Sequence, residues 1–283
     1  MSVAEKVLSI AARRLARAQG LAAPLAREDS PQFAATVVDN VDLGGGMRRV
    51  TCEAPGLRDF VPCGPDEYVG LVMPLPGRPL VMPDPDAVDV RASVAAIPAE
   101  DRPGLRWYTI RDHDPLRGRV DIDIMTHGDS GPGSAWTCRA RAGDAVGIRA
   151  SGALYRGFEV TGRQVLVADE SAVPSVAAIL EAWGGPGDAA DNGVDVHVEV
   201  ADRASLAAYD LGDATVHVRT GRPGSALVPA LGDALAVGGP VRYAWACGEA
   251  ALAAGARRAL RDHGVDRGNI YSCGYWTLGK PRP

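Results

Sequence analysis

Arg106-Trp107-Tyr108-Thr109-Ile110-Arg111 and, shortly after, His127-Gly128-Asp129-Ser130-Gly131-Pro132-Gly133-Ser134 decide how this chain is read. In an extended strand Arg106 and Tyr108 share one face, with Trp107 and Thr109 on the other. An arginine two residues from a tyrosine can hold a phosphate while the phenol ring lies against a flat heterocycle, with a threonine hydroxyl close by. His127 ends the following strand, and glycines at 128, 131 and 133 precede Ser134, where a short helix is expected to run to Ala140. A helix start presents unpaired N–H groups and a positive dipole end to an anion, and Gly131 and Gly133 let a phosphate approach the backbone. Taken singly, the first stretch is an alternating strand and the second a serine-capped hairpin loop. In succession they point to a nucleotide with both a flat ring system and a pyrophosphate, as in a flavin.

Working outward, residues 32–155 give short alternating runs at 33–38, 68–73, 106–111, 120–126 and 145–150, separated by Gly, Pro and Asp. Frequent short strands with turn signals between them predict a closed antiparallel sheet, a small β-barrel. Residues 82–102 hold three prolines and little periodicity, and read as a long insertion before the Arg106 strand. After Gly162 the pattern changes. Strands are expected at 164–168, 194–201, 214–219, 241–247 and 269–273, with helices at 174–183, near 204, at 225–235 and at 249–263. Strands alternating with helices predict a parallel sheet with crossovers on its faces. The expected organisation is an N-terminal helix and linker over 1–31, a barrel domain over 32–160 and an α/β domain over 161–283.

Length and composition fit two soluble globular units: 283 residues, 46% hydrophobic and 23% charged. No apolar run reaches the length of a membrane span, and the N-terminal apolar residues are interrupted by Lys6, Arg13, Arg14 and Arg17, unlike a signal-peptide core. A cytoplasmic protein without an integral membrane segment is the expectation. A formal net charge of −5 argues against broad nucleic-acid binding. Five cysteines without a C-x-x-C pair indicate neither a disulfide framework nor a zinc site, and no metal site is expected. His113, His197, His217 and His263 form no ligand spacing, although His197 and His217 could lie on neighbouring strands. Lysine occurs only at Lys6 and Lys280, so anion recognition would rest mainly on arginine.

Residues 106–111, with His127-Gly128 leading to Gly131-Pro132-Gly133-Ser134-Ala135-Trp136, resemble the FAD-binding signature of siderophore-interacting proteins, the bacterial ferric-siderophore reductases. Met47-Arg48-Arg49-Val50-Thr51, Ala168-Asp169-Glu170-Ser171-Ala172-Val173-Pro174, and Gly248-Glu249 with Gly274-Tyr275-Trp276 are similar to further stretches of that family. The resemblance covers roughly residues 32–279, in order. It implies a ferredoxin-reductase-like architecture, a flavin-binding β-barrel followed by an NAD(P)H-binding parallel α/β domain.

Carried over by position, it implies that Arg106 and His127 meet the pyrophosphate, that Tyr108 flanks the isoalloxazine and that Thr109 places its hydroxyl near the reactive flavin edge. Tyr108 and Thr109 are therefore the catalytic candidates. Gly131, Gly133 and Ser134 would cradle phosphate, and Trp136 would wall that pocket. Asp169, Glu170 and Ser171 would sit at the carboxyl end of the first α/β strand, where ligands of open parallel sheets bind, although Asp169 and Glu170 also suit helix N-terminal acids. Gly248 would let backbone approach the nicotinamide, and Trp276 would stack on flavin or adenine or simply pack. Cys247 reads equally well as a buried strand residue.

The implied function is an FAD-dependent, NADPH- or NADH-driven ferric-siderophore reductase that releases iron. Arg111, Arg139 and Arg141 are the candidate cations for an anionic ferric chelate. Two departures bear on that substrate: Gly70 stands where the family often has a lysine, and the tail after Trp276 leaves Lys280 and Arg282 as replacements for an arginine-rich continuation. A general NAD(P)H:flavin reductase and a non-catalytic siderophore-binding protein are the alternatives.

Overall fold

A computed structural model describes residues 20–126 and 131–280. The helix expected at 1–20, His127 and the 128–130 part of the glycine-rich loop lie outside the described residues. Strands β1 (Leu25–Ala26), β2 (Gln32–Gly44), β3 (Met47–Glu53), β4 (Tyr68–Met73), β5 (Gly104–Asp114), β6 (Arg119–Met125) and β7 (Ala145–Ala153) lie in the order β1-β7-β2-β3-β6-β5-β4. A further β4–β7 pairing closes the six longer strands into an antiparallel barrel. Period-two patterning drives the closure, because Val69, Leu71 and Met73, Val120, Ile122 and Ile124, and Val146, Ile148 and Ala150 all enter one core. Each of the larger side chains contributes on the order of 1.5–3 kcal/mol by leaving water.

Residues 82–102 differ from the expectation of an aperiodic insertion, since they contain helix α1 (Val90–Ala96). The Asp89 carboxylate caps it, accepting from the N–H groups of Arg91 and Ala92 at 2.9 and 3.1 Å, while Val90 and Val94 bury one face. The preceding chain is tied to the barrel wall. The buried Arg149 guanidinium donates to the carbonyls of Pro85 and Ala87 at 3.1 and 2.9 Å, and Gln32 donates to that of Pro83 at 2.9 Å. Helix α2 (Pro132–Arg139) lies against the barrel and inserts Trp136 into its core.

The second half is a five-stranded parallel sheet built from β8 (Gln164–Asp169), β9 (Val194–Val200), β10 (Thr215–Val218), β11 (Tyr243–Glu249) and β12 (Ile270–Trp276), in the order β10-β9-β8-β11-β12. Helices α3 (Val173–Ala182), α4 (Pro186–Asp191), α5 (Leu227–Val237) and α6 (Ala250–Asp262) cover it. The central β8 is apolar on both faces. Leu166 and Ala168 pack with Val173, Val176 and Leu180 of α3, whereas Val165 and Val167 pack with Leu227, Leu231 and Leu252 of α5 and α6. His197 and His217 stack on adjacent strands with ring centroids 6.0 Å apart. Cys247 is fully buried in β11. No helix among the described residues is long and apolar enough to cross a membrane.

Barrel and sheet are joined by buried polar contacts. The wholly buried Asp66 carboxylate accepts from the N–H groups of Leu154 and Tyr155, both at 3.0 Å, and from the Trp245 indole at 3.1 Å. Burial pushes this carboxyl up to about 6 against the opposing pull of those donors. The Tyr209 hydroxyl donates to Asp123 at 2.7 Å, and Asp123 also takes a bidentate pair from Arg49 at 2.7 and 2.8 Å. Replacing Asp66 with Ala strands three buried donors, so Asp66→Ala is expected to cost about 3 kcal/mol or more in urea unfolding. The loss should be accompanied by a changed near-UV signal from Trp245.

Candidate functional site

Where the mouth of the barrel meets the carboxyl ends of β8 and β12 lies a cavity of about 330 Å³, within the size range of small-molecule sites. The barrel contributes Tyr68, Trp107, Tyr108, Thr109, Asp123, Ser151 and, from α1, Arg91. Leu154 lines it just beyond β7. The sheet contributes Ser171, Pro174, Tyr271, Cys273 and Tyr275. The lining is aromatic with hydroxyls between the rings, a surface suited to a flat heterocycle with polar edges. Period two explains the far wall, because Tyr271, Cys273 and Tyr275 are alternate residues of β12. Of the residues expected from sequence, Tyr108, Thr109 and Ser171 reach this cavity. Tyr68, Arg91, Asp123, Tyr271 and Tyr275 were not expected there.

Trp107 pairs in register with Gly70 and meets Tyr68 edge-on, with ring centroids 5.7 Å apart. A Cβ at position 70 would come within 3.0 Å of the Trp107 ring, so the indole fills the space where a side chain would leave the strand. The Thr109 hydroxyl is already engaged. It shares a 2.6 Å hydrogen bond with Ser175 on α3, and Ser175 lies 3.3 Å from the Tyr275 hydroxyl. A hydroxyl chain thus crosses from barrel to sheet behind the cavity.

Tyr108 and Arg106 face α2. A Cβ at Gly133 would stand 2.0 Å from the Tyr108 hydroxyl and 3.4 Å from Arg106, so glycine is what lets helix and tyrosine approach. Burial pushes the Tyr108 phenol up to about 12, with Arg106 acting in the opposite direction, and the hydroxyl keeps its proton at neutral pH. Among the described residues, the start of α2 has no side-chain cap. Its N-cap is Gly131 at φ 86°, with nothing within 4 Å of a Cβ there among the described residues, followed by Pro132, whose missing N–H costs nothing at that position. Ser134 is buried beneath this start, and Trp136 is only 2% exposed inside the barrel core instead of facing the cavity. A bulky indole on the inner face of a short amphipathic helix is held there by the apolar area it removes from water.

At the sheet end, Asp169 is fully buried and joins three strand ends. One oxygen accepts from the Ser171 N–H and hydroxyl at 2.9 and 2.6 Å, and the other from the Glu249 N–H and the Trp276 indole at 2.7 and 2.9 Å. Gly248, at φ 139°, leaves the room: a Cβ there would lie 2.7 Å from the Asp169 carboxyl carbon. Burial pushes Asp169 up to about 6, opposed by the Ser171 hydrogen bond and reinforced by Glu170. Glu249 caps α6 through the N–H groups of Ala251 and Leu252 and also receives the Leu278 N–H.

Several candidate ligand-binding side chains are committed elsewhere. Arg111, expected at an anionic chelate, forms a bidentate pair with Glu181 on α3 and lies over the Tyr209 ring at 6.0 Å. Glu170, expected at the nucleotide, forms a bidentate pair with Arg219. Arg139 donates to the Pro74 carbonyl at 3.0 Å. Lys280 is exposed in a turn closed on Thr277. Arginines beside carboxylates or carbonyls satisfy those partners first, which spacing in the chain does not reveal.

A family model described as a siderophore-interacting FAD-binding domain matches residues 36–154, and one described as a siderophore-interacting protein matches residues 161–279. The chain belongs to the siderophore-interacting protein family. A siderophore utilization protein from T. fusca, solved by crystallography, superposes with a TM-score of 0.71 at 25% identity, over 91% of this chain and 97% of that one. A Mycobacterium tuberculosis protein named only as uncharacterized is 32% identical over 200 residues, covering 68% of this chain and 67% of its own length. Ferric vibriobactin reductase ViuB of Vibrio cholerae is 33% identical over 92 residues, 32% of this chain and 34% of ViuB. The closed barrel followed by a parallel sheet is the ferredoxin-reductase-like fold expected from the sequence.

The Asp169–Trp276 hydrogen bond makes the buried carboxyl observable. Tryptophan fluorescence should show a titration with midpoint near pH 6 that disappears in Asp169→Asn. In the folded protein this acid keeps its proton up to about 6, while an unfolded aspartate loses it near about 3.9. The folded state therefore binds more protons between those values, and this group's contribution to stability falls as pH rises from about 4 to 6 and is level above.

Proposed function

We propose that this protein is an FAD-containing, NAD(P)H-dependent ferric-siderophore reductase, with residues 32–160 as the flavin-binding domain and 161–283 as the NAD(P)H-binding domain. The observation that carries the reading is the pairing of an aromatic, hydroxyl-lined cavity with the glycine-opened start of α2, in a chain of the siderophore-interacting family. The residues present suit FAD: rings for a flat heterocycle, and a Gly131 backbone beside which no other described residue would meet a side chain, where a phosphate can approach. Bound there, the flavin would supply the exchange between a two-electron hydride donor and a one-electron metal acceptor.

The chain's own part is placement. Tyr108, protonated and braced by Gly133, would support the ring system, while Arg106 and the backbone from Gly131 to Ser134 would hold phosphate. Thr109, fixed by Ser175, would present its hydroxyl towards the ring edge. Ser171, bonded to Asp169, and Gly248, packed beside it at the carboxyl ends of the strands, would receive the nicotinamide nucleotide, in the crevice that open parallel sheets offer. Trp276 would close that side. Tyr271 and Tyr275 would exclude water. The ferric chelate is the substrate, and its reduction releases iron because hard oxygen donors hold the ferrous ion far more weakly.

Purified protein supplied with FAD should be yellow, and should bleach when NADPH or NADH is added without oxygen. Addition of a ferric siderophore should then yield ferrous ion, trapped by a ferrous-specific chelator, much faster than free FAD is reduced. A protein that stays colourless with FAD sinks the assignment. One that bleaches but reduces free flavin faster than any ferric chelate is a general flavin reductase.

A further inference from the structure

Cys247 and Cys273 stand directly opposite each other in the parallel pairing of β11 with β12. Both are free thiols. Residues paired in this way leave the same face of a sheet: Cys247 lies in the apolar cluster under α3, and Cys273 packs against it. Adjacent strands lie about 4.8 Å apart, inside the Cα separation of roughly 4.4–6.8 Å that a disulfide accepts. The ladder can also give at this point. Each cysteine is followed by a glycine, Gly248 pairs with Gly274, and the register shifts immediately afterwards, between Gly248 and Glu249. Of the other three cysteines, Cys52 stands opposite Val37 and Val120, and Cys63 and Cys138 lie outside the strands. The paired thiols differ in access. Cys273 is half-buried and lines the cavity between Tyr271 and Tyr275, whereas Cys247 has no exposure and burial pushes its thiol well above the usual range.

We propose that Cys247 and Cys273 are a peroxide-sensing dithiol, oxidised to a disulfide within the wall of the cavity. A hydroperoxide entering the cavity gives one oxygen to the Cys273 thiol as its O–O bond breaks, leaving a sulfenic acid and, from hydrogen peroxide, one water. The Cys247 sulfur then bonds to the Cys273 sulfur, and the sulfenic oxygen leaves as a second water with the Cys247 proton. Two thiols lose two electrons and two protons, and the peroxide takes them up. Burial keeps Cys247 from reacting first, but its fixed place beside Cys273 makes the second step intramolecular. Closure draws Cys273 towards β11 and moves the backbone between Tyr271 and Tyr275, so the far wall of the cavity changes with the thiol state. The use of such a switch rests on the reductase reading above: ferrous ion turns peroxide into hydroxyl radical, and a wall altered by peroxide curbs iron release when it does most harm. The thiol chemistry is independent of that reading.

In the test, full-length protein is reduced, freed of reductant and treated with a few equivalents of hydrogen peroxide. Remaining thiols are alkylated under denaturing conditions and the digest is mapped by mass spectrometry. Cys247 and Cys273 should escape alkylation in one linked peptide pair that dithiothreitol separates. Cys247→Ala and Cys247→Ser should each leave Cys273 as a sulfenic acid trapped by dimedone, which the wild type traps far less. Oxidised wild type should bind FAD several-fold more weakly in a flavin fluorescence titration and recover with dithiothreitol, while peroxide should leave the affinity of Cys273→Ala where it was. Oxidation confined to Cys63 and Cys138, Cys273 carried to sulfinic acid with Cys247 still alkylated, or unchanged FAD binding by the linked form would each overturn the proposal. The mapping needs neither a variant nor bound flavin, so a linked pair in a protein that binds no FAD would count against the reductase reading alone.

Discussion

Asp66 sits in the loop before β4 with no exposure to solvent, and its two oxygens hold the chain at Leu154 and Tyr155 and the indole of Trp245 together. One acid thus fastens the exit of the barrel to the central strands of the sheet. Thr109–Ser175, Arg111–Glu181 and Tyr209–Asp123 repeat the connection on the other side. The cavity is the space left between these ties. Its near wall belongs to β5 and its far wall to β12, and neither half encloses it alone. Buried carboxylates are costly unless satisfied, and here each is surrounded by donors, which makes the relative position of the two halves specific.

The same economy explains why so few charged residues near the cavity remain for ligands. Guanidinium groups are used as braces against carboxylates and carbonyls, and the sheet end is organised by Asp169 instead of by a cation. Among the described residues, the site offers rings, hydroxyls, backbone N–H groups at α2 and the exposed Arg91. That inventory matches a task in which a bound group carries the chemistry and the protein fixes distances, orientation and access.

Much of the fold was legible because periodicity is local. The alternation of Val120, Ile122 and Ile124 marks a barrel strand, and the unbroken apolar run from Val165 to Ala168 marks a strand covered on both faces. The place of Tyr108 and Thr109 on a barrel strand ahead of a short helix was legible because strand and helix fall close together in sequence. Asp66 was not, since its indole partner is 179 residues away and no local pattern announces it. Arg111 and Glu170 read as ligand contacts because their partners, Glu181 and Arg219, are 70 and 49 residues distant. Helix α1 carries a faint signal, an aspartate directly before valines spaced four apart, masked by the prolines around it. Tyr271 and Tyr275 were visible as alternate strand residues, but which face they occupy depends on where the barrel docks.

Whether the cavity between β5 and β12 seats a flavin serving a ferric chelate is tested most directly by stopped-flow absorbance without oxygen. Protein loaded with FAD and reduced by one equivalent of nicotinamide nucleotide would be mixed with a ferric siderophore while the flavin band and the ferrous product are followed together. Return of the flavin colour in step with ferrous formation, at a rate that rises with chelate concentration, is the predicted result. Flavin that stays bleached in the presence of the chelate, or that recovers without ferrous product, would contradict it.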